Sequence, residues 1–234
     1  MMQNWRIKEG SDYEAKEIFK DYSKIIKDHF RDTNQLSILD IGCATGELIY
    51  FLQNDLKTSG YLYGLDINND FIENARERFS SSNINFQVGD AVDYDLNYKF
   101  DVVTASSIIT CFDEPHEFLE KMLNHLDKRG VAIISSIFNE YDVEVRIKHK
   151  LPGHNEWRST FNLFSLKRVE EIVNDIGYNC EITEQIIPFD IPRDMQNPGR
   201  AWSVMLNGVR CNTNVLQLIW NIKVLKITAK DNLF

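Results

Sequence analysis

The residues best suited to chemistry stand on the loop Asp40-Ile-Gly-Cys-Ala-Thr-Gly46. An apolar run ends at Asp40, the chain turns through Gly42 and Gly46, and a helical pattern begins at Glu47. Glycine lets a backbone approach a ligand closely, and a helix start presents N–H groups that have no partner inside the helix. A dinucleotide loop uses such a turn in the form G-x-G-x-x-G, with pyrophosphate on the helix start. Here Ala44 takes the second glycine's place and Glu47 the third's. A carboxylate at Glu47 opposes a pyrophosphate, and Asp40 suits a cationic amino group better than a phosphate. Taken alone, the loop is either a seat for a cation-bearing ligand or a tight turn with none.

Further carboxylates recur at the ends of the following apolar runs. Tyr63-Gly-Leu-Asp66 places Asp66, followed by Ile67, 20 residues after Gly46. A ribose-binding carboxylate stands about 20 residues beyond the glycine loop in a nucleoside-binding βαβ unit, although an Asp there also serves as a helix cap. Val88-Gly-Asp-Ala91 offers Asp90 as an acceptor for an adenine amino group and the Ala91 N–H as a donor to the ring. The run Phe100–Ser107 ends in small residues, Ser106 among them, that can line a cofactor floor.

The elements that must position these residues follow from periodicity. A helix is expected over Asp12–Phe30, then strands at Leu36–Ile41, Tyr61–Asp66, Ile84–Val88, Phe100–Ala105 and Val131–Ser136. Helices alternate with them at Glu47–Asp55, Asn69–Phe79 and Pro115–Leu126, and the turn Asp127–Gly130 leads into the fifth strand. Such alternation implies a doubly wound, Rossmann-like α/β fold whose ligand sits outside the carboxyl ends of the strands. Residues 137–163 carry no long periodic stretch. Ser165 caps a helix to Ile176, Cys180–Ile187 and Ala201–Leu206 read as strands, and residues 188–200 form a long loop. The apolar tail Val215–Ile227 packs on the domain, on a second copy or on a membrane surface.

The order and spacing of these segments, closed by Gly130-Val-Ala-Ile-Ile-Ser135, resemble the class I S-adenosylmethionine-dependent methyltransferases over residues 36–136. The resemblance implies a seven-stranded, mostly parallel sheet with helices on both faces and insertions after strands five and six. It makes the chain a single domain: residues 1–35 form an N-terminal helical segment, 36–136 the cofactor core, and 137–234 the acceptor side. By the resemblance Asp40, Gly42 and Gly46 hold the methionine part, Asp66 the ribose, and Asp90 with Ala91 the adenine, with Cys43, Ala44, Ile67 and Ser106 as further cofactor-binding residues. Ala44 departs from the glycine that many relatives carry.

Methyl transfer needs a base only when the acceptor must lose a proton. Many relatives place a histidine after strand four, where this chain reads Ile108-Ile-Thr-Cys-Phe112, leaving His149 and His154 as candidates. Arg146, Trp157, Arg158, Asn162 and Arg200, with Tyr13 of the first helix, are the candidate acceptor residues, or else ordinary packing and solvated side chains. Arginine matches anionic oxygens in bidentate geometry, which points to a carboxylate, phosphate or sugar on the acceptor. Asn162-Leu-Phe-Ser165, Asp190-Ile-Pro192 and Trp220–Lys223 also resemble bacterial methyltransferases encoded with capsule and surface-polysaccharide genes. That likeness implies O-methylation of a small sugar- or phosphate-containing metabolite; N- or protein-directed transfer, or a silent cofactor-binding partner, are the alternatives.

The bulk composition narrows the classes. With 35 acidic against 26 basic residues the net charge is -9, and no basic run suggests a nucleic-acid partner. The cysteines Cys43, Cys111, Cys180 and Cys211 lack metal or dithiol spacing, so no metal is expected. The first ten residues do not read as a signal peptide and no apolar run approaches the ~20 residues of a span, giving the expectation of a cytoplasmic protein, a homodimer being possible through the tail.

Overall fold

The computed structural model describes residues 16–150, 153, 155–196, 201–214 and 218–230, without the side chains of residues 158–161. Five helices and seven sheet strands build the main body. Helix α1 spans Glu17–His29, α2 Glu47–Leu56, α3 Asn69–Arg78, α4 Pro115–Asn124 and α5 Leu166–Asp175. Strands β1 (Ile38–Ile41), β2 (Leu62–Asp66), β3 (Ile84–Val88), β4 (Phe100–Ser106) and β5 (Leu126–Ser136) alternate with the first four. A hairpin of β6 (Val145–His149) and β7 (Arg158–Leu163) precedes α5, and β8 (Tyr178–Glu184) follows it. Then come β9 (Trp202–Leu206), β10 (Val209–Thr213), β11 (Ile219–Trp220) and β12 (Lys223–Ala229).

The main sheet runs β3-β2-β1-β4-β5-β12-β8. The first five strands are parallel, and β12 lies antiparallel to both β5 and β8. Strand order reverses between β1 and β4, which is where a doubly wound sheet opens a crevice. All four residues of β1 are buried, as expected of a central strand covered on both faces. One face packs Leu39, Ile41, Phe100, Val103 and Phe118, while the other packs Ile38, Leu52, Leu62, Val102 and Ile133. The helices follow their local codes: Asn68 caps α3 by accepting from the N–H groups of Asp70 and Phe71, Pro115 opens α4, and Ser165 caps α5.

Helix α1 buries Phe19, Tyr22 and Ile26 along one stripe. The Tyr22 hydroxyl reaches across to β4 and β5, 3.0 Å from Ser135 Oγ and 3.2 Å from the Ala105 carbonyl. That contact fixes the rotation of the helix on the sheet, because a buried phenol must find a partner.

Three expectations are corrected. The turn Asp127–Gly130 is instead part of β5, paired to β4 through a shift of register between Phe100 and Val102. Gly130 permits this, since a Cβ there would lie 2.7 Å from the Asp101 carbonyl oxygen. Residues 137–163 contain the β6–β7 hairpin, whose mixed polar sequence and shifted register hide the alternation of a strand. The strand at Ala201–Leu206 stays outside the main sheet and joins β10 and β11, and the seventh sheet strand comes from the tail. The reason is burial: Val224, Leu225 and Ile227 of β12 are buried on alternate faces, whereas Met205 and Leu206 of β9 are exposed.

Replacing Tyr22 by Phe removes one buried hydroxyl and is expected to cost about 1–2 kcal/mol. Thermal denaturation should then show a melting temperature lower by roughly 2–8 °C. An unchanged melting temperature would mean that the phenol does not anchor α1.

Candidate functional site

The carboxyl ends of β1, β2, β3 and β4 converge where the strand order reverses. After β1 the chain passes through Gly42, Ala44 and Gly46 with φ of +71°, +48° and +80°. Left-handed backbone is free for glycine and costs an alanine roughly 1–2 kcal/mol. Space is equally limiting: a Cβ on Gly42 would stand 2.6 Å from Ile108 Cδ1, and one on Gly46 2.6 Å from Phe86 Cζ. The loop is held by the Leu65 carbonyl, which accepts from the N–H groups of Gly42 and Cys43, and by Asp66, whose Oδ2 accepts from the Ala44 N–H at 2.9 Å. Asp66 Oδ1 accepts from the Asn68 N–H, so this carboxylate braces two loops at once. Each of its oxygens keeps a lone pair for a ribose hydroxyl.

Asp40 is only 2% exposed. Its Oδ1 accepts from the Thr104 hydroxyl at 2.7 Å, while Oδ2 is buried without a hydrogen-bond partner. Burial pushes the Asp40 carboxyl up to about 7, opposed by the Thr104 hydrogen bond and reinforced by the nearby charge of Asp66. A buried carboxylate with a vacant acceptor oxygen wants a cation. The ammonium of a methionine moiety meets that requirement and a phosphate does not. Glu47, by contrast, is engaged by Arg78 at 2.9 Å and Lys16 at 3.8 Å, so Asp40 rather than Glu47 decides against pyrophosphate.

The other expected cofactor residues gather around these two. Asp90 is half-buried and caps its own turn by accepting from the Val92 N–H at 3.1 Å, and Ala91 packs on the core. Ile67 is 68% exposed at the end of β2, an apolar cover for a flat ring. Cys43 is buried with its thiol pushed well up by burial, which makes it a packing group rather than a nucleophile. Ser106 Oγ lies 3.1 Å from Ser135 Oγ, the partner of Tyr22. Thr104, Ser135 and Tyr22 are the members sequence reasoning missed. A hydroxyl on a strand carries no mark of which face it joins until the register is known.

The acceptor candidates are more dispersed. The Arg146 guanidinium is held by Asp113 (3.3 Å to Oδ1, 2.7 Å to the carbonyl) and Glu114. Asn162 is buried and donates to the Phe112 carbonyl at 2.7 Å. Both tie the β6–β7 hairpin to the loop that follows β4. His149 ends β6, paired in register with Arg158 of β7, and Trp157 is 65% exposed. Tyr13, His154 and Arg200 lie outside the described residues, as does the Arg158 side chain. Among the described residues no cluster of His, Cys, Asp or Glu could hold a metal, and no helix is long and apolar enough to cross a membrane.

A glycine loop and carboxylates at three neighbouring strand ends define an α/β protein that seats a nucleoside ligand with a cationic arm. Residues 32–184 match the family described as methyltransferase domain. The chain is 33% identical over 103 residues to a malonyl-[acyl-carrier protein] O-methyltransferase of Acetivibrio thermocellus, covering 44% of this chain and 36% of that protein. It is 27% identical over 115 residues to a ubiquinone biosynthesis O-methyltransferase of Rickettsia bellii, covering 48% of this chain and 46% of the relative. The chain thus spans less than half the length of these two relatives. A solved S-adenosylmethionine-dependent methyltransferase of Clostridium acetobutylicum shares the fold, with a TM-score of 0.59 at 13% identity over 91% of this chain and 92% of that one. The chain belongs to the methyltransferase domain family.

The pH dependence of cofactor binding follows from Asp40. In the free protein the neutral acid predominates below about 7. A bound ammonium favours the carboxylate, so binding expels a proton there and tightens as pH rises. Calorimetry should show S-adenosylmethionine affinity falling roughly five- to tenfold from pH 7.5 to pH 6, with Asp40→Asn weak and flat over that window. A flat wild-type profile would remove the cation-seat assignment. Asp66→Ala should weaken the same affinity by about 1–3 kcal/mol through lost charged hydrogen bonds; unaltered binding would take Asp66 out of the site.

Proposed function

We propose that the protein transfers a methyl group from S-adenosylmethionine to an oxygen of a small polar acceptor that carries a sugar or a phosphate. The observation that carries the methyl-transfer reading is the vacant, buried Oδ2 of Asp40 at the switch point of the sheet. When bound, the cofactor supplies an already activated methyl group: a carbon–oxygen bond forms, the sulfonium carbon–sulfur bond breaks with its electron pair going to sulfur, and the acceptor proton is lost.

The chain's own residues bind, orient and shield. Asp40 takes the amino group, Asp66 the ribose, and Asp90 with the Ala91 N–H the adenine edge. The loop after β4 closes the floor: Ser107 adopts φ +62°, and Ile108 packs against Gly42. This apolar wall excludes water from the reacting centre, which strengthens the electrostatic contacts within it. Arg146 and Asn162 act through the hairpin they fasten to that loop, so Arg146 positions the acceptor wall instead of touching the acceptor. His149 is the described candidate for receiving the acceptor proton. The O-methyltransferase relatives support oxygen as the acceptor atom, and the sequence likeness to enzymes encoded with surface-polysaccharide genes is what suggests a sugar or a phosphate on the acceptor.

The test is release of S-adenosylhomocysteine by the purified protein across nucleotide sugars, sugar phosphates, amines and peptides. Turnover is expected with a phosphorylated or sugar acceptor, and His149→Ala should lower kcat about 10²-fold or more while sparing cofactor affinity. Turnover confined to amines or peptides would overturn the acceptor class.

A further inference from the structure

The β6–β7 hairpin carries a feature that the cofactor site does not use. In a chain of net charge -9, residues 145–155 contain no acidic side chain and include Arg146, Lys148 and Lys150. Along β6 and the residue that follows it, half-buried Val145, Ile147 and His149 alternate with exposed Arg146, Lys148 and Lys150, so the three long cations share one face. His149 lies on the other.

These three cations are not equivalent. Arg146, at the root of the hairpin, is neutralised by Asp113 and Glu114. Nearby cations are treated likewise: Arg168 pairs with Glu114 and Glu144, Lys167 with Asp142, and Lys223 with Glu140 and Glu184. Lys148 and Lys150 have no carboxylate partner among the described residues. Lys150 lies over the exposed ring of Trp157, its Nζ 5.7 Å from the ring centroid. The two ammonium groups are exposed on one face of the hairpin, where an external anion can reach both.

We propose that Lys148, Lys150 and Trp157 form a handle site for a phosphate or diphosphate group on the methyl acceptor. The inference rests on the acceptor reading above and deepens it. A strand rises about 3.3 Å per residue, which puts the two lysine Cα atoms roughly 7 and 13 Å beyond Arg146, the point where the hairpin meets the loop after β4. The handle therefore stands on the order of 10 Å from the loop after β4. Lysine ammonium groups suit this task as mobile point charges, and the Trp157 ring adds a flat apolar surface for a sugar or base ring beside the phosphate.

The experiment is a calorimetric titration of the full chain, saturated with S-adenosylhomocysteine, with inorganic pyrophosphate, uridine diphosphate, 4′-phosphopantetheine and uridine. Pyrophosphate and at least one of the two organic phosphates should bind, and uridine should not. Preference for uridine diphosphate marks a nucleotide-borne acceptor, and preference for 4′-phosphopantetheine a carrier-borne one. The double variant Lys148→Ala/Lys150→Ala should bind about tenfold more weakly, Lys148→Arg/Lys150→Arg should retain binding, and affinity should fall as salt is raised. Both lysines are exposed, so the variants should melt as the wild type does. Equal affinity in the wild type and the alanine variant, or no phosphate binding at all, would overturn the handle. The titration does not read methyl transfer: phosphate binding through these lysines without any turnover refutes the proposed function and leaves the handle standing. Turnover of an uncharged acceptor without phosphate binding does the reverse.

Discussion

A carboxylate with a vacant oxygen at the end of the central strand is the constraint around which the site is arranged. Asp40 sits in β1 with every neighbour buried, and Thr104 satisfies only one of its oxygens. In the free protein this is costly: Asp40 holds its proton to about pH 7, so the fold loses stability as pH rises from the ordinary carboxylate range toward that value. The surroundings keep the cost from spreading. Asp66 spends its own oxygens on the backbone of two loops, and glycines occupy the positions where a side chain would strike Ile108 or Phe86. Two buried polar atoms of the glycine loop, Asp40 Oδ2 and Thr45 Oγ1, are thus left without a hydrogen-bond partner, while both oxygens of Asp66 are engaged.

The sheet explains why that arrangement is rigid. β1 pairs with β2 on one side and β4 on the other in unbroken parallel register, so Asp40, Gly64 and Thr104 form one row across the sheet. The row is buried from above by α1 and α2 and from below by α4, and Tyr22 pins α1 to the ends of β4 and β5. Movement of any strand end would unpair a buried polar group. The β6–β7 hairpin is held differently, by the buried Asn162 amide and by surface ion pairs of Arg146 and Arg168 that are worth little each.

The parallel half of the sheet, with the expected cofactor residues on it, was legible because its signals are local and repeated. Asp40, Asp66 and Asp90 each stand at the end of an apolar run, and the parallel topology that aligns them follows from the alternation of strands and helices. The seventh strand was not legible. Lys223–Ala229 lies some 90 residues beyond β5, and its pairing is decided by which segment can bury both faces, a property of tertiary packing. Ala201–Leu206 has the stronger local strand pattern yet keeps Met205 in solvent. The hairpin was lost for a related reason, its polar alternation being that of an exposed two-stranded ribbon. No linear reading shows that Asp113, 33 positions earlier, reaches Arg146.

The placement of β12 has a consequence for how the molecule is made. β5 and β8 never touch each other, since β12 fills the gap between them as the last strand of the sheet. While the chain is being synthesised, the parallel half can assemble as soon as residue 136 has emerged. From then until the 220s appear, β5 presents a long apolar edge with unpaired backbone groups. Such an edge is a template for association with other nascent chains. The final strand thus works as a latch that ends the most aggregation-prone interval of biogenesis, and lesions in Val224, Leu225 or Ile227 should reveal themselves first as lost yield.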